Sequence, residues 1–325
     1  MKPEISVVLT THNGENRLPL VLEGLARQNL QRSRFEIIVV DDGSTDRTPW
    51  VLRDWQSRLT LHNVRQNRAG MAAAKSLGIF VSDADIVVFL GDDTVPDPDF
   101  LVMHLAAHLA SPEQAVAVLG YTSLPEDIRQ IPVMWYATEI GCELFSYVWM
   151  QPGQDLDYTA FGNGCISCKR SLLVQNGVFN PILEFNPADV ELGWRLRRHG
   201  LRVIYQPQAH SVFMQAFTFD QLCARFYQQG HSQFRFAQLH KAAAVEAYCE
   251  IVPALQEWRD HGQSYEAYLH KARDLDSQAI AAKQDKTPVA FSFQHSLDEA
   301  YRTAFSLSRA KGVVDAKASI SDPLK

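Results

Sequence analysis

Between Ile5 and Leu90 the chain repeats one exchange: a short apolar run gives way to a helix-spaced segment, then another apolar run follows. This alternation constrains the fold more than any other feature. Ile5 to Thr10 is β-branched and apolar, and Leu18, Val21, Leu22 and Leu25 then recur at helical spacing. Phe35 to Val40, FEIIVV, is a second run. Val51, Leu52 and Trp55 share one helix face, and Leu61 to Val64 makes a short third strand. Gly70 to Phe80 is an Ala-rich helix, and Asp85 to Leu90 is the fourth strand. Apolar strands alternating with helices predict a parallel sheet covered on both faces. Ligands of such sheets bind at the C-terminal strand ends. Here those ends carry TTHN, DDGSTD and GDD.

Beyond residue 100 the pattern blurs. Residues 131–150 are rich in aromatics, and residues 160–185 read as loop. NPADVELGWRLRRHG predicts a helix with Asn186 at its cap, Pro187 in its first position and Gly200 just past its end. RVIYQP is a short strand, and the chain reads as helical from about residue 215. Ser296 and Glu299 match a capping box, and the last dozen residues look frayed. The expected division is a domain over 1–240 and a helical extension over 241–325.

Composition excludes several classes. The net charge of −6 over 325 residues leaves no basic footprint for nucleic acid. No run approaches the roughly 18 apolar residues of a membrane span. The N-terminus, MKPEISVVLTT, does not read as a signal peptide. Five cysteines, an odd number, fit reduced thiols in a cytoplasmic setting, with peripheral contact on the inner face of a membrane left open. Cys165 and Cys168 form a lone C-x-x-C without the second pair that zinc sites usually have.

The turn after the second strand explains Gly43, Ser44 and Asp46, which favour turns and helix caps. It does not explain Asp41 and Asp42, adjacent like charges that fit a nucleobase edge or ribose hydroxyls better. Asp92 and Asp93 pose the same question. A hard divalent cation takes oxygen ligands, binds pyrophosphate and accepts charge from a departing phosphate. His104 and His108 have the spacing of a metal pair. No Glu lies between them, and they read as flanking the Leu101–Leu105 stripe of a helix.

VVLTTHN, IIVVDDGSTD, QNRAGMAAAKSLGI, FLGDDTVPDPDFL, FGNGCISCKRSLL and ADVELGWRL resemble, in order and rough spacing, the family 2 glycosyltransferases. The resemblance runs from residue 4 to about residue 235. It implies the GT-A fold: a Rossmann-type α/β domain with a mixed, mainly parallel sheet and flanking helices, here followed by a C-terminal helical extension. It also implies inverting transfer of a sugar from a nucleotide-sugar, most often a UDP-sugar, to an acceptor hydroxyl, assisted by Mn²⁺ or Mg²⁺. The acceptor would be a glycan or lipid-linked glycan in polysaccharide, glycolipid or glycoconjugate assembly. A homodimer is compatible.

By the same resemblance Thr11 and Asn13 line the nucleoside pocket. Asp41 bonds the base, and Asp42 helps hold the nucleoside. Arg68 and Lys75 approach base and phosphates, though Lys75 reads equally well as a surface lysine. Asp92 sits near ribose or metal, Asp93 is the metal ligand, and Asp189 is the catalytic base with Glu191 as fallback or partner. His210 either approaches the diphosphate and metal or packs at a strand end. The chain departs from the family at Gly91, where Asp is frequent, and at Ala188, where Glu is. These departures keep a second reading alive, a nucleotide-sugar-binding scaffold impaired in catalysis. A nucleotidyltransferase would need a Gly-rich phosphate loop with a basic residue just after strand one, which TTHNGEN does not supply. Trp135, Tyr136, Phe145, Tyr147 and Trp149 suit sugar stacking, a membrane interface or plain core packing.

Overall fold

A computed structural model describes residues 2–321 apart from 163, 184 and 289. Among the described residues nine strands form one sheet: β1 (Ile5–Thr11), β2 (Phe35–Asp42), β3 (Leu61–Gln66), β4 (Ile86–Gly91), β5 (Thr94–Pro96), β6 (Val116–Ser123), β7 (Asp155–Leu156), β8 (Ile166–Lys169) and β9 (Arg202–Phe213). Helices α1 (Leu18–Ala26), α2 (Thr48–Gln56), α3 (Met71–Val81) and α4 (Phe100–Ala110) alternate with the early strands. α5 (Glu126–Arg129) and α6 (Pro132–Trp135) follow β6, α7 (Arg170–Asn176) follows β8, and α8 (Phe185–Leu196) precedes β9. α9 (Phe219–Leu239), α10 (Ala243–Cys249), α11 (Ile251–His261), α12 (Tyr265–Gln284) and α13 (Phe291–Ser321) complete the chain.

The chain divides into two compact units. The first comprises Met1–Pro125, Phe145–Pro181 and Ala188–Gln215; the second comprises Glu126–Leu144, Ile182–Pro187 and Ala216–Lys325.

The first unit holds the sheet, ordered β3-β2-β1-β4-β8-β6-β9-β5 with β7 beside β9. Long registers are parallel, whereas the antiparallel pairs of β8, β5 and β7 extend over only two or three residues each. Alternate residues serve opposite faces. Val7, Leu9, Ile37, Val39, Val88 and Leu90 face a core shared with α1, α2 and α4. Val8, Ile38, Val87 and Phe89 are buried as well, which is why the strands read as unbroken apolar runs. Register sets the site: Thr11 lies level with Asp41 across β1 and β2, and Thr10 with Gly91 across β1 and β4.

Several elements differ from expectation. The segment read as loop contains β8 and α7, whose few residues carry no visible period. α8 begins at Phe185, so Asn186 is its second residue rather than its cap, while Gly200 does take the left-handed conformation (φ 81°) that ends the helical stretch. The strand RVIYQP extends to Phe213 through a bulge opposite Gly120 and Tyr121.

In the second unit α9 packs against α13. Gly230 faces the Arg309 carbonyl and Gly312 the Tyr227 carbonyl; a Cβ at either would meet that oxygen at 2.0 Å. Phe219, Phe226 and Phe305 stack beside them, and Phe234, Ala254, Ala310, Val313 and Ala316 fill a further core. Ser296 is interior to α13, its hydroxyl bonding the Ser292 carbonyl, so Ser296–Glu299 is not a cap. The capping box in this unit is Thr218–Gln221 at the start of α9. α13 runs to Ser321 where fraying was expected; residues 322–325 lie outside the described residues.

Candidate active site at the carboxyl strand ends

Three knots of polar side chains in the first unit hold most of the expected site residues. The first joins the ends of β1 and β4. Asp92, 8% exposed, accepts Thr11 Oγ1 at 2.6 Å, Arg17 Nε at 3.3 Å and Arg17 Nη2 at 3.1 Å. Both carboxylate oxygens are thus bonded, and the pair of like charges at the strand end is relieved by one guanidinium. Arg17 stands just past TTHNGEN, so a basic residue does follow strand one, but it is engaged with Asp92. Gly14 packs against this knot: a Cβ there would lie 2.2 Å from Thr11 Oγ1 and 2.7 Å from Asp92 Oδ2, so the bonded pair would have to shift.

Asp93 is half-buried, and its Oδ1 accepts the Thr94 hydroxyl at 3.0 Å. Burial first, and the neighbouring Asp92 charge second, push its carboxyl above the usual range. A Cβ at position 91 would sit 2.5 Å from Asp93 Oδ1. Gly91 leaves room for this Asp93 rotamer, and a side chain there would make the Asp93 carboxylate shift.

The second knot organises the end of β2. Asp41, 1% exposed, accepts Ser44 N at 2.8 Å through Oδ1. Its Oδ2 is buried without a hydrogen bond among the described residues, with Arg65 Nη1 at 3.4 Å. Asp42 is consumed internally: Gln66 Nε2 (2.7 Å) and Ala69 N (2.8 Å) reach Oδ1, and Gly70 N (3.0 Å) reaches Oδ2. Asp42 therefore shapes the turn that carries exposed Arg68 into α3. Asn13 takes a left-handed φ of 52°, receives Thr45 N at 2.8 Å and donates its own N–H to Ser44 Oγ at 2.9 Å.

The third knot is long-range. Lys75 Nζ donates to Asp189 Oδ1 at 2.5 Å and lies 5.0 Å from the Phe179 ring centroid. Both side chains of the pair are largely buried (16% and 14% exposed), so Lys75 is not on an open helix face. Glu191, 1% exposed, accepts Arg195 Nε at 2.9 Å, and Arg195 Nη2 holds the Val178 carbonyl at 2.6 Å. That pair braces the segment before α8.

His210 is bonded at both ring nitrogens, Nδ1 to Asp97 Oδ2 at 2.5 Å and Nε2 to Ser123 Oγ at 2.8 Å, and stacks on Tyr121. It reaches a metal only by giving up one partner. Among the described residues no group of three or more His, Cys, Asp and Glu could hold a metal ion. The desolvated carboxyl of Asp93 nevertheless fits a hard divalent cation, and Mg²⁺ in particular is usually held by one or two carboxylates plus substrate phosphates. Cys165 and Cys168 are buried thiols, pushed up by burial to about 11 and about 12.

Sequence reasoning missed Arg17, Arg65, Asp97 and Ser123. Of the aromatics, Tyr136 is core (2% exposed), Phe145 packs on Phe213, Tyr147 stacks on Tyr205, and Trp135 and Trp149 are exposed.

Comparison with known proteins gives these residues a context. The sequence profile of Glycosyl transferase family 2 matches residues 6–168. The chain is 38% identical over 226 residues to validoxylamine A glucosyltransferase of Streptomyces hygroscopicus subsp. limoneus, covering 61% of this chain and 49% of the relative. It spans about half the length of the curated relatives it matches. Among solved structures it resembles S. aureus TarS 1–349 in complex with UDP (TM-score 0.54, 16% identity, 99% and 92% of the two chains). It also resembles mannosyltransferase PcManGT of Pyrobaculum calidifontis in complex with GDP-Man and Mn²⁺ (TM-score 0.55, 19% identity, 100% and 89%). Those two likenesses establish the fold.

Proposed function

Because this chain belongs to Glycosyl transferase family 2, we propose that it transfers a sugar, with inversion, from a UDP-sugar to an acceptor hydroxyl of a glycan or lipid-linked glycan. The observation that carries this reading is the buried, unbonded Oδ2 of Asp41 beside Arg65, at the same sheet edge as the Thr11–Arg17–Asp92 knot. That oxygen has the Arg65 ion pair at 3.4 Å but no hydrogen bond among the described residues, so it can still accept one, and the N–H of a uracil edge would supply it.

In this reading Asn13 and Arg68 flank the nucleoside, Asp42 sets the turn beside it, and Asp92 fixes Arg17 near the phosphates. Asp93 would hold Mn²⁺ or Mg²⁺, with His210 as a further ligand if it leaves Asp97 or Ser123. The ion, when bound, takes up charge on the departing nucleoside diphosphate. Asp189 receives the acceptor proton as the acceptor oxygen bonds the anomeric carbon and the bond to the phosphate oxygen breaks. Lys75 occupies Oδ1 of Asp189, which directs the incoming proton to Oδ2. Glu191, buried against Arg195, braces that segment.

The test is a thermal-shift screen against UDP, GDP, CMP and dTDP, each with Mn²⁺ or EDTA, on wild type and Asp93→Ala. UDP with Mn²⁺ is expected to raise the Tm, and Asp93→Ala to abolish the metal-dependent part. A folded protein with no shift for any nucleotide contradicts the reading. Position 91 gives a second prediction. Gly91→Asp restores the residue frequent in the family, yet it is expected to weaken the Mn²⁺-dependent shift, because its Cβ displaces the Asp93 carboxylate. A stronger shift in Gly91→Asp would sink that steric account.

A further inference from the structure

The helical unit carries a cleft of about 420 Å³, within the usual range for small-molecule sites, lined by Gln130, Trp135, Lys283, Lys286 and Gln294 among others. Among the described residues its lining holds two ammonium groups and no carboxylate. Trp135 forms its apolar wall. The indole is 38% exposed, and the Arg129 guanidinium, itself held by Glu126 at 2.6 Å, lies 5.4 Å from the ring centroid. The ring is braced yet still open to solvent.

The polar groups have set directions. Gln130 donates its amide nitrogen to Glu126 at 2.7 Å, and Gln294 donates its own to Asp298 at 2.9 Å. Each amide therefore keeps its carbonyl oxygen as an acceptor for hydroxyl groups. Lys283 donates to the main-chain carbonyl of Gln130 and ties α12 to the turn before α6. Exposed Lys286 (φ 52°) sits in the turn after α12, closed by Thr287 N to Ala282 O at 2.8 Å, and makes no ion pair with a carboxylate among the described residues.

An apolar aromatic surface, acceptors for hydroxyl groups and an uncompensated ammonium are together the complement of one ligand chemistry. We infer that this cleft binds a saccharide unit bearing an acidic group, a carboxylate or a phosphate. The C–H face of the pyranose lies on Trp135, its hydroxyls donate to Gln130 and Gln294, and its acid pairs with Lys286. A unit of an acidic acceptor glycan is the natural occupant; that role rests on the transferase reading, whereas binding itself does not.

The test is saturation-transfer NMR and calorimetric titration of the full chain with glucuronic acid, glucose 6-phosphate, glucose and inorganic phosphate. Wild type, Trp135→Ala and Lys286→Gln are compared, with the UDP–Mn²⁺ thermal shift as a separate readout. Saturable binding of at least one acidic sugar is expected, about tenfold tighter than glucose, and about tenfold weaker in either variant. Glucuronic acid against glucose 6-phosphate tells which acid is read. No saturable binding of either by wild type, binding unchanged in Trp135→Ala, or inorganic phosphate binding as tightly as the sugars would each overturn the inference. Loss of nucleotide binding with sugar binding intact would strike the transferase reading alone.

Discussion

Asp189→Asn is expected to lower kcat by about 10²–10⁴-fold, the usual contribution of a positioned general base, while leaving the nucleotide-dependent thermal shift in place. The expectation follows from where the carboxylate sits. It is 14% exposed, in the second turn of α8, with a cation fixed on one oxygen only. A carboxylate in that place can take a proton from an acceptor hydroxyl. Asparagine keeps the shape and loses that capacity. It also leaves the Lys75 ammonium without its partner in a largely buried place, so a fall in stability has to be separated from a fall in chemistry. Lys75→Met and the double variant Lys75→Met/Asp189→Asn do that. If Asp189 is the base, the double variant loses no more kcat than Asp189→Asn alone, and far-UV circular dichroism shows both folded. A kcat for Asp189→Asn within about threefold of wild type would remove Asp189 from the chemistry.

The Lys75–Asp189 pair also marks the limit of what the sequence discloses. Its partners are 114 positions apart, and nothing local to either one names the other. The strands β1, β2 and β4 were legible because burial on both faces makes their whole length apolar, and the carboxylates at their ends stood out against that background. β8 was not legible, because Ile166–Lys169 contains Ser167 and Cys168, small polar types whose burial depends on neighbours in the sheet. Ser296 shows the opposite error: a correct local pattern inside a longer helix, since the same spacing serves a cap or an interior turn. The carboxylates were found as a class, but their division of labour was not. Asp41 keeps an unbonded oxygen, Asp42 holds a turn and Asp92 holds Arg17, and only the register of the strands decides among these roles.

His104 and His108, which the sequence left beside a helix stripe, lead to the second large effect. Both are 0% exposed and share one hydroxyl: His104 Nδ1 and His108 Nε2 lie 2.8 and 2.9 Å from Ser167 Oγ. A hydroxyl donates once, so it gives its proton to one ring and receives an N–H from the other. His104 Nε2 and His108 Nδ1 have no partner among the described residues, so a second proton on either ring would be a buried, unpaired charge. Burial above all, with the His108 charge acting on His104 and the Lys169 charge on His108, holds both down to about 3. The unfolded chain takes up these protons near the ordinary histidine value of about 6.5, and the folded chain refuses them until about 3. The unfolded state therefore binds more protons in that window, and stability falls as pH falls from about 6.5 towards 3. At about 1.4 kcal/mol per unit for each ring, the pair costs about 4 kcal/mol between pH 7.5 and pH 5, and nothing further above neutrality. Urea unfolding at the two pH values measures it, with His104→Leu/His108→Leu/Ser167→Ala as the reference, since that variant removes both rings and the hydroxyl they share. The wild type is expected to lose about 4 kcal/mol more than the variant on acidification. Equal losses in the two proteins would mean that the imidazoles take up protons in place, through an opening of α4 that costs little.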